Sequence, residues 1–402
     1  MFSLILSFLI SASVVVVFRY INTKYKPPVL GIYQQENKNF WPKFLFMYVV
    51  LKLKQLKTYV SRLASEYGTG GTIHVQEHDL ELEQKFNLGS FPKSVDAVYF
   101  NGLSKEGDRV VCGVARRPNQ ACDAFLYLKV KDGELLLSPQ LPDSYLSQTP
   151  EDGDDYKVQG ISAQNFIPMR TWKVSYNGKM KSRDNPDKTV SVVSDLTWSA
   201  GWAPFEYDTQ ISARSTARDM AREPWSRDYF QLLQKLHQKH YEQMGFIAGT
   251  VTIDGKSHEI HIPCVRDRTC ATIREWRNFH RYVLHFIFLE NGDCMAVGSV
   301  SQPSILSHLT IGYVCRKDQT VCAVDSCDFQ LYQHGEHQIL PKDYGFTFEA
   351  GGESYVAQVQ VFDEDYFYIG KERDTKIYER WSDVIINGVK GVSCVEWQYN
   401  NV

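Results

Sequence analysis

Along most of the chain, apolar and polar positions alternate in short runs, and the runs are separated by Asn-Gly or Asp-Gly pairs. Period-two alternation marks a half-buried strand, and those pairs supply the positive φ that a two-residue hairpin turn requires. Residues 125–130 lead through Asp132 and Gly133 into 134–137, and residues 172–176 are expected to turn at Asn177 and Gly178. Further on, 246–253 turns at Asp254 and Gly255, 282–289 at Asn291 and Gly292, and 383–386 at Asn387 and Gly388. These last three pairs are assigned to one antiparallel unit. Successive hairpins describe a meander, and closing a meander removes its exposed edges. The expected body is mainly β, with two antiparallel barrel units.

Three stretches break this rhythm. Residues 2–18 are apolar apart from four serines, and 17 residues reach the lower limit of the roughly 17–25 needed to span a bilayer. Residues 40–60 set Lys43, Lys52, Lys54 and Lys57 among Trp41, Phe44, Leu45, Tyr48 and Val49, with Asn39 as N-cap. Such a helix suits a lipid headgroup layer, and equally a helix packed on the β body. Residues 224–244 carry Phe230, Leu233, Leu236, His237 and His240 at helical spacing and end at Gly245. The domain reading is therefore 1–30 membrane anchor, 31–65 basic amphipathic helix, 66–222 first barrel domain, 223–245 connecting helix and 246–402 second barrel domain.

Charge refines this picture. Nine Lys or Arg stand between Arg19 and Arg62 against Glu36 alone, in a chain whose net charge is −3. A basic collar on an acidic body points to anionic headgroups, with no nucleic acid as partner. Arg19, Lys24 and Lys26 follow the apolar run, so the positive-inside rule places the body on the cytosolic face of a single-pass membrane protein, at the endoplasmic reticulum. The nine scattered cysteines read as reduced, buried thiols.

Nucleotide loops and a Gly-x-Ser-x-Gly elbow are absent from the sequence, and no cofactor is expected. His258, His261 and Cys264 are three apart, which on a strand sends His261 to the other face. His334 and His337 follow Cys322 and Cys327 without a Cys-x-x-Cys knuckle, and no metal is expected. The densest chemistry lies in residues 266–276, where Arg266, Arg268 and Arg274 crowd with Asp267, Glu275 and Trp276. Bidentate pairing of those carboxylates with the guanidiniums would pin a barrel mouth.

This stretch resembles the signature of the carotenoid hydratase (hydroxyneurosporene synthase) and related double-lipocalin proteins. Arg266 and Asp267 fit its opening pair, and Arg274, Glu275 and Trp276 its closing triplet, with Glu in place of Asp. His240-Tyr241-Glu242-Gln243, Gly249, Asp254 and Gly255 fit the lead-in. Tyr99-Phe100-Asn101-Gly102 and Arg116-Arg117-Pro118 are similar to the region preceding the phosphotransfer domains of animal phosphoenolpyruvate synthase-like proteins. The resemblance spans roughly residues 80–400 and implies two lipocalin-like barrels around an apolar cavity. It does not carry over kinase-like activity, since no ATP-binding or phosphohistidine domain is present. Arg268 and Cys270 stand where the family has the His and Trp linked to hydration, and a guanidinium cannot exchange protons near neutral pH.

The leading expectation is a membrane-tethered, non-enzymatic binder or carrier of a lipid or isoprenoid in a barrel lumen. The alternative is a hydratase, cyclase or isomerase acting on such a lipid, with Asp267, Glu275, Tyr282 and His285 as acid–base groups. Arg266, Asp267, Arg268, Arg274 and Trp276 are expected together at one end of the second barrel, the carboxylate held by guanidiniums.

Overall fold

A computed structural model describes residues 24–68, 72–89 and 91–401. The apolar run at 2–18, and with it the expected anchor, lies outside them. Among the described residues no helix is long and apolar enough to cross a membrane.

Among the described residues, two helices, α1 (Phe40–Gly68) and α2 (Thr72–Glu83), precede the sheets. The chain then forms β1 (Val95–Leu103), β2 (Arg109–Arg116), β3 (Ala121–Lys129), β4 (Leu136–Leu137), β5 (Tyr145–Ser147), β6 (Tyr156–Val158), β7 (Ile161–Ile167), β8 (Thr171–Ser182), β9 (Thr189–Ala200) and β10 (Phe205–Glu206). Helices α3 (Tyr207–Gln210), α4 (Ala213–Arg222) and α5 (Arg227–Lys235) lead to β11 (Lys239–Ile253) and β12 (Lys256–Ala271). Strand β9 pairs with both β8 and β11, and β12 returns to β1 with Ala271 opposite Val95. An eight-strand ring results, in the order β1-β2-β3-β4-β8-β9-β11-β12.

The second ring is simpler. Strands β13 (Arg281–Leu289), β14 (Cys294–Gln302), β15 (Leu306–Cys315), β16 (Val321–Cys327), β17 (Asp343–Ala350), β18 (Glu353–Ile369), β19 (Thr375–Ile386) and β20 (Val389–Asn400) run up and down and close on themselves.

Three expectations change. The connecting helix at 223–245 is shorter than its spacing suggests: α5 ends at Lys235, and from Lys239 the chain is extended between β9 and β12. Tertiary pairing overrides a local pattern there, since His240 and Met244 also fit a strand's period. The Asp254–Gly255 turn, with φ of 48° and 83°, joins β11 to β12 and so belongs to the first ring, apart from the turns at Gly292 and Gly388. Asn177 and Gly178 do not turn; β8 runs straight through them, paired residue by residue with β9. Neither has positive φ, so nothing bends the strand.

Both lumens are packed. Strand alternation sends Val98 and Phe100 of β1 inward, where they meet Trp172, Trp198, Ile247 and Ile262 from around the first ring. Val283, Met295, Phe346 and Trp397 fill the second. A third apolar cluster, including Val111, Phe125, Phe286, Phe367 and Trp381, lies between the barrels. Polar clamps lock this seam: Arg109 and Arg183 both hold Asp363, at 2.5 and 2.6 Å, and Arg373 makes a two-point contact with Asp143.

Helix α1 packs on the body through Met47, Phe44, Tyr48 and Leu51, which meet Ala217 and Met220 of α4, Tyr229 of α5 and Leu306 of β15.

Candidate active site between the barrels

The arginine-rich stretch divides by strand alternation. On β12, Arg266 and Arg268 point into the first barrel, fully buried. Arg266 lies 4.9 Å from the Trp198 ring centroid and pairs with Glu83 of α2 at 3.0 Å. Arg268 pairs with Asp96 of β1 at 3.1 Å, and Asp96 also takes Arg116 at 2.6 Å. Burial opposes ionisation of Asp96, yet Arg268 and Arg116 outweigh it and hold the carboxyl below its usual range. This network plugs the first barrel, not the second, and its carboxylates are Glu83 and Asp96 instead of Asp267 and Glu275. Side chains at neighbouring positions on a strand cannot share a face, which is why Asp267 escapes the plug.

Asp267 points the other way, into a cavity of about 100 Å³ in the seam. Tyr99, Arg274, Trp276, Tyr282 and Glu396 share its wall with the apolar Val95, Ala97, Phe125, Phe367, Ile369 and Ile377. Three expected residues thus join Asp267 there: Arg274, Trp276 and Tyr282. Glu275 does not; it pairs with Lys93 at 2.7 Å. His285 sits in the second lumen, Nδ1 to Val297 O and Nε2 to the Tyr344 hydroxyl, each at 2.9 Å. Burial pushes it down to about 3, so it is a neutral core imidazole.

The cavity's chemistry centres on two glutamates that sequence reasoning missed. Tyr282 of β13 donates to Glu396 of β20 at 3.2 Å. Behind it, Glu379 of β19 accepts from Tyr99 at 3.0 Å, from Asn101 at 3.4 Å and from the Cys394 thiol at 3.2 Å. Burial raises Glu379 to about 7. Burial, reinforced by the neighbouring Glu379, raises Glu396 well above the carboxylate range. Two carboxyls on facing strands of one apolar site oppose each other's ionisation, which favours a proton held by the pair. In sequence, each is a lone Glu in an alternating run, and only the meeting of two barrels makes those positions internal.

Across the wall, burial raises Asp267, while His240 pulls the other way. His240 Nδ1 contacts Thr269 Oγ1 at 2.9 Å and Asp267 Oδ1 at 3.7 Å, and its Nε2 meets Glu242 Oε1 at 3.2 Å. Burial alone would lower this imidazole; Asp267 and Glu242 outweigh it and raise its pKa. Ligand atoms of His240, Glu242 and Asp267 lie within 4.8 Å of one another, the donor set a divalent cation would use. As arranged, both ring nitrogens are already engaged, and the trio is a hydrogen-bonded imidazole between carboxyls.

A family model described as Family of unknown function (DUF8627) matches residues 8–399. No curated protein matches significantly. Among solved structures, the chain is similar to an AttH protein from Nitrosomonas europaea, at 8% identity and TM-score 0.47, covering 78% of this chain and 97% of the other. Kievitone hydratase from Nectria haematococca gives 12% identity and TM-score 0.47 over 80% and 94%. CghA gives 11% and 0.45 over 77% and 90%.

Proposed function

The chain belongs to that family of unknown function, and from its geometry we propose that the seam cavity binds a small apolar molecule and transfers a proton to it without a cofactor. Hydration, cyclisation and isomerisation of an isoprenoid-like or related lipid all fall in this class. The observation that carries the reading is Glu396: a carboxyl, raised by burial well above the carboxylate range, that lies in the cavity wall beside Glu379 and accepts from the Tyr282 hydroxyl. A protonated carboxylic acid at neutral pH is a general acid. Asp267, backed by His240, is the group that takes a proton back from water or from the substrate. Arg274 and Trp276 line the same cavity, and their Nε and Nε1 atoms are buried without a hydrogen-bond partner among the described residues. The volume suits a group near the size of the benzene that fills a cavity of about 150 Å³, so a larger lipid would place only its reacting end here.

The apolar wall also favours a second reading, a binder or carrier of such a lipid. One experiment separates them. Small molecules retained by the Glu396→Gln protein are identified by mass spectrometry, then incubated with unmutated protein in D₂O. Conversion with deuterium incorporation is the expected result. Recovery of the same molecule, unconverted and undeuterated, would leave the binder.

A further inference from the structure

Helix α1 has a second face. While Phe44, Met47, Tyr48 and Leu51 pack on the body, Trp41, Leu45, Val49, Leu53, Leu56 and Val60 stand exposed on the opposite side. At 100° per residue these six fall within one third of the helix circumference. Leu45 and Leu53 are 62% and 60% exposed, the reverse of what a soluble helix shows to water. Lys57 lies about 40° beyond one edge of the stripe and Lys52 stands just inside the other, about 20° from Trp41, and from Asn37 to Arg62 no acidic residue is present in the sequence.

We propose that this face of α1 lies in the surface layer of an anionic phospholipid bilayer, apolar side chains among the acyl chains and lysines at the headgroups. The occupant follows from charge: an apolar stripe with a lysine at each margin, on an acid-free run, complements a negatively charged lipid surface. The helix does not span, because no described helix is apolar enough to do so. The apolar sequence at 2–18, read as an anchor, ends about twenty residues before α1 and would bring the same surface within reach. Lys43 takes no part at the headgroups, since its Nζ is spent on Glu223 O at 2.6 Å and on the Trp225 ring.

Trp41 reports on the interaction directly. The full chain is reconstituted into vesicles of 30% phosphatidylserine and 70% phosphatidylcholine, with brominated acyl chains that quench indole fluorescence on contact. The expected result is a quenched component that disappears in Trp41→Phe. Replacing Lys52 and Lys57 with Gln should weaken docking about fivefold per charge, and omitting phosphatidylserine should do the same or more. Because the tether at 2–18 is intact in every variant, loss of quenching reports this face alone. Trp41 emission that bromolipid leaves untouched would overturn the proposal, and would mean that protein, from this chain or a second copy, covers the stripe.

Discussion

At the scale of single residues, burial decides which charged groups do chemistry and which hold the fold. Asp96 is shared by two fully buried guanidiniums, so Asp96→Asn should cost about 3 kcal/mol in chemical denaturation, leaving Arg116 only Asp154 and Arg268 only Glu83 as carboxylate partners. Glu396→Gln should behave differently: an amide replaces a carboxyl that is already neutral, so stability should change by less than about 1 kcal/mol while proton transfer is lost. Equal destabilisation of the two variants would contradict this division. Asp267, Arg274, Trp276 and Tyr282, which the fold brings to one cavity wall, stand out in the sequence because they lie in or near one signature. Sequence reasoning missed Glu379 and Glu396 because a lone acid in an alternating strand looks solvent-facing; of its other candidates, Glu275 turns to Lys93, and His285, three residues from Tyr282 on β13, faces the second lumen.

Among the elements, turn chemistry was legible only where the backbone demanded it. Asn387 has φ of 48° and ties its turn to β18, Nδ2 donating to Ser354 O and Oδ1 accepting from Val356 N–H. Asn387→Val should therefore destabilise β18–β19–β20 by about 1–3 kcal/mol, whereas Asn177→Val, in the straight run of β8, should be close to neutral; paired thermal melts check this. The dipeptide is the same, and the pairing around it is what differs. Helix α1 shows the corresponding ambiguity of a helix with two apolar faces. Met47→Asp places a charge against α4 and should cost more than about 2 kcal/mol, while Leu53→Glu on the outer face should stay within about 0.5 kcal/mol in detergent solution.

For the whole molecule, the seam makes stability depend on pH. Glu379 has a folded pKa of about 7, above the ordinary glutamate value, so its protonated form favours the native state. That contribution is complete below about pH 4.3 and is lost as pH rises through 7, at up to about 1.4 kcal/mol per pH unit. Denaturation midpoints should fall between pH 5 and 7, and Glu379→Gln should make the profile shallower while raised Glu396 keeps part of the slope; an unchanged slope in that variant would place the titrating group elsewhere. Two barrels were legible in the sequence from their hairpins, but their partition was not, because the strand that closes the first ring arrives only after three helices. This order has a consequence during synthesis. When Ala200 leaves the ribosome, β1 and β9 still lack their outer partners, and Val95 must wait for Ala271. At roughly 5–20 residues per second those edges stay bare for several seconds. Nascent chains stalled before Lys239 should be digested by protease as readily as unfolded chains, and the first barrel, though begun early, should become resistant only when residues near Ala271 have emerged. The N-terminal barrel is thus finished just as the C-terminal one begins, and holdase chaperones have their longest task on the half of the protein made first.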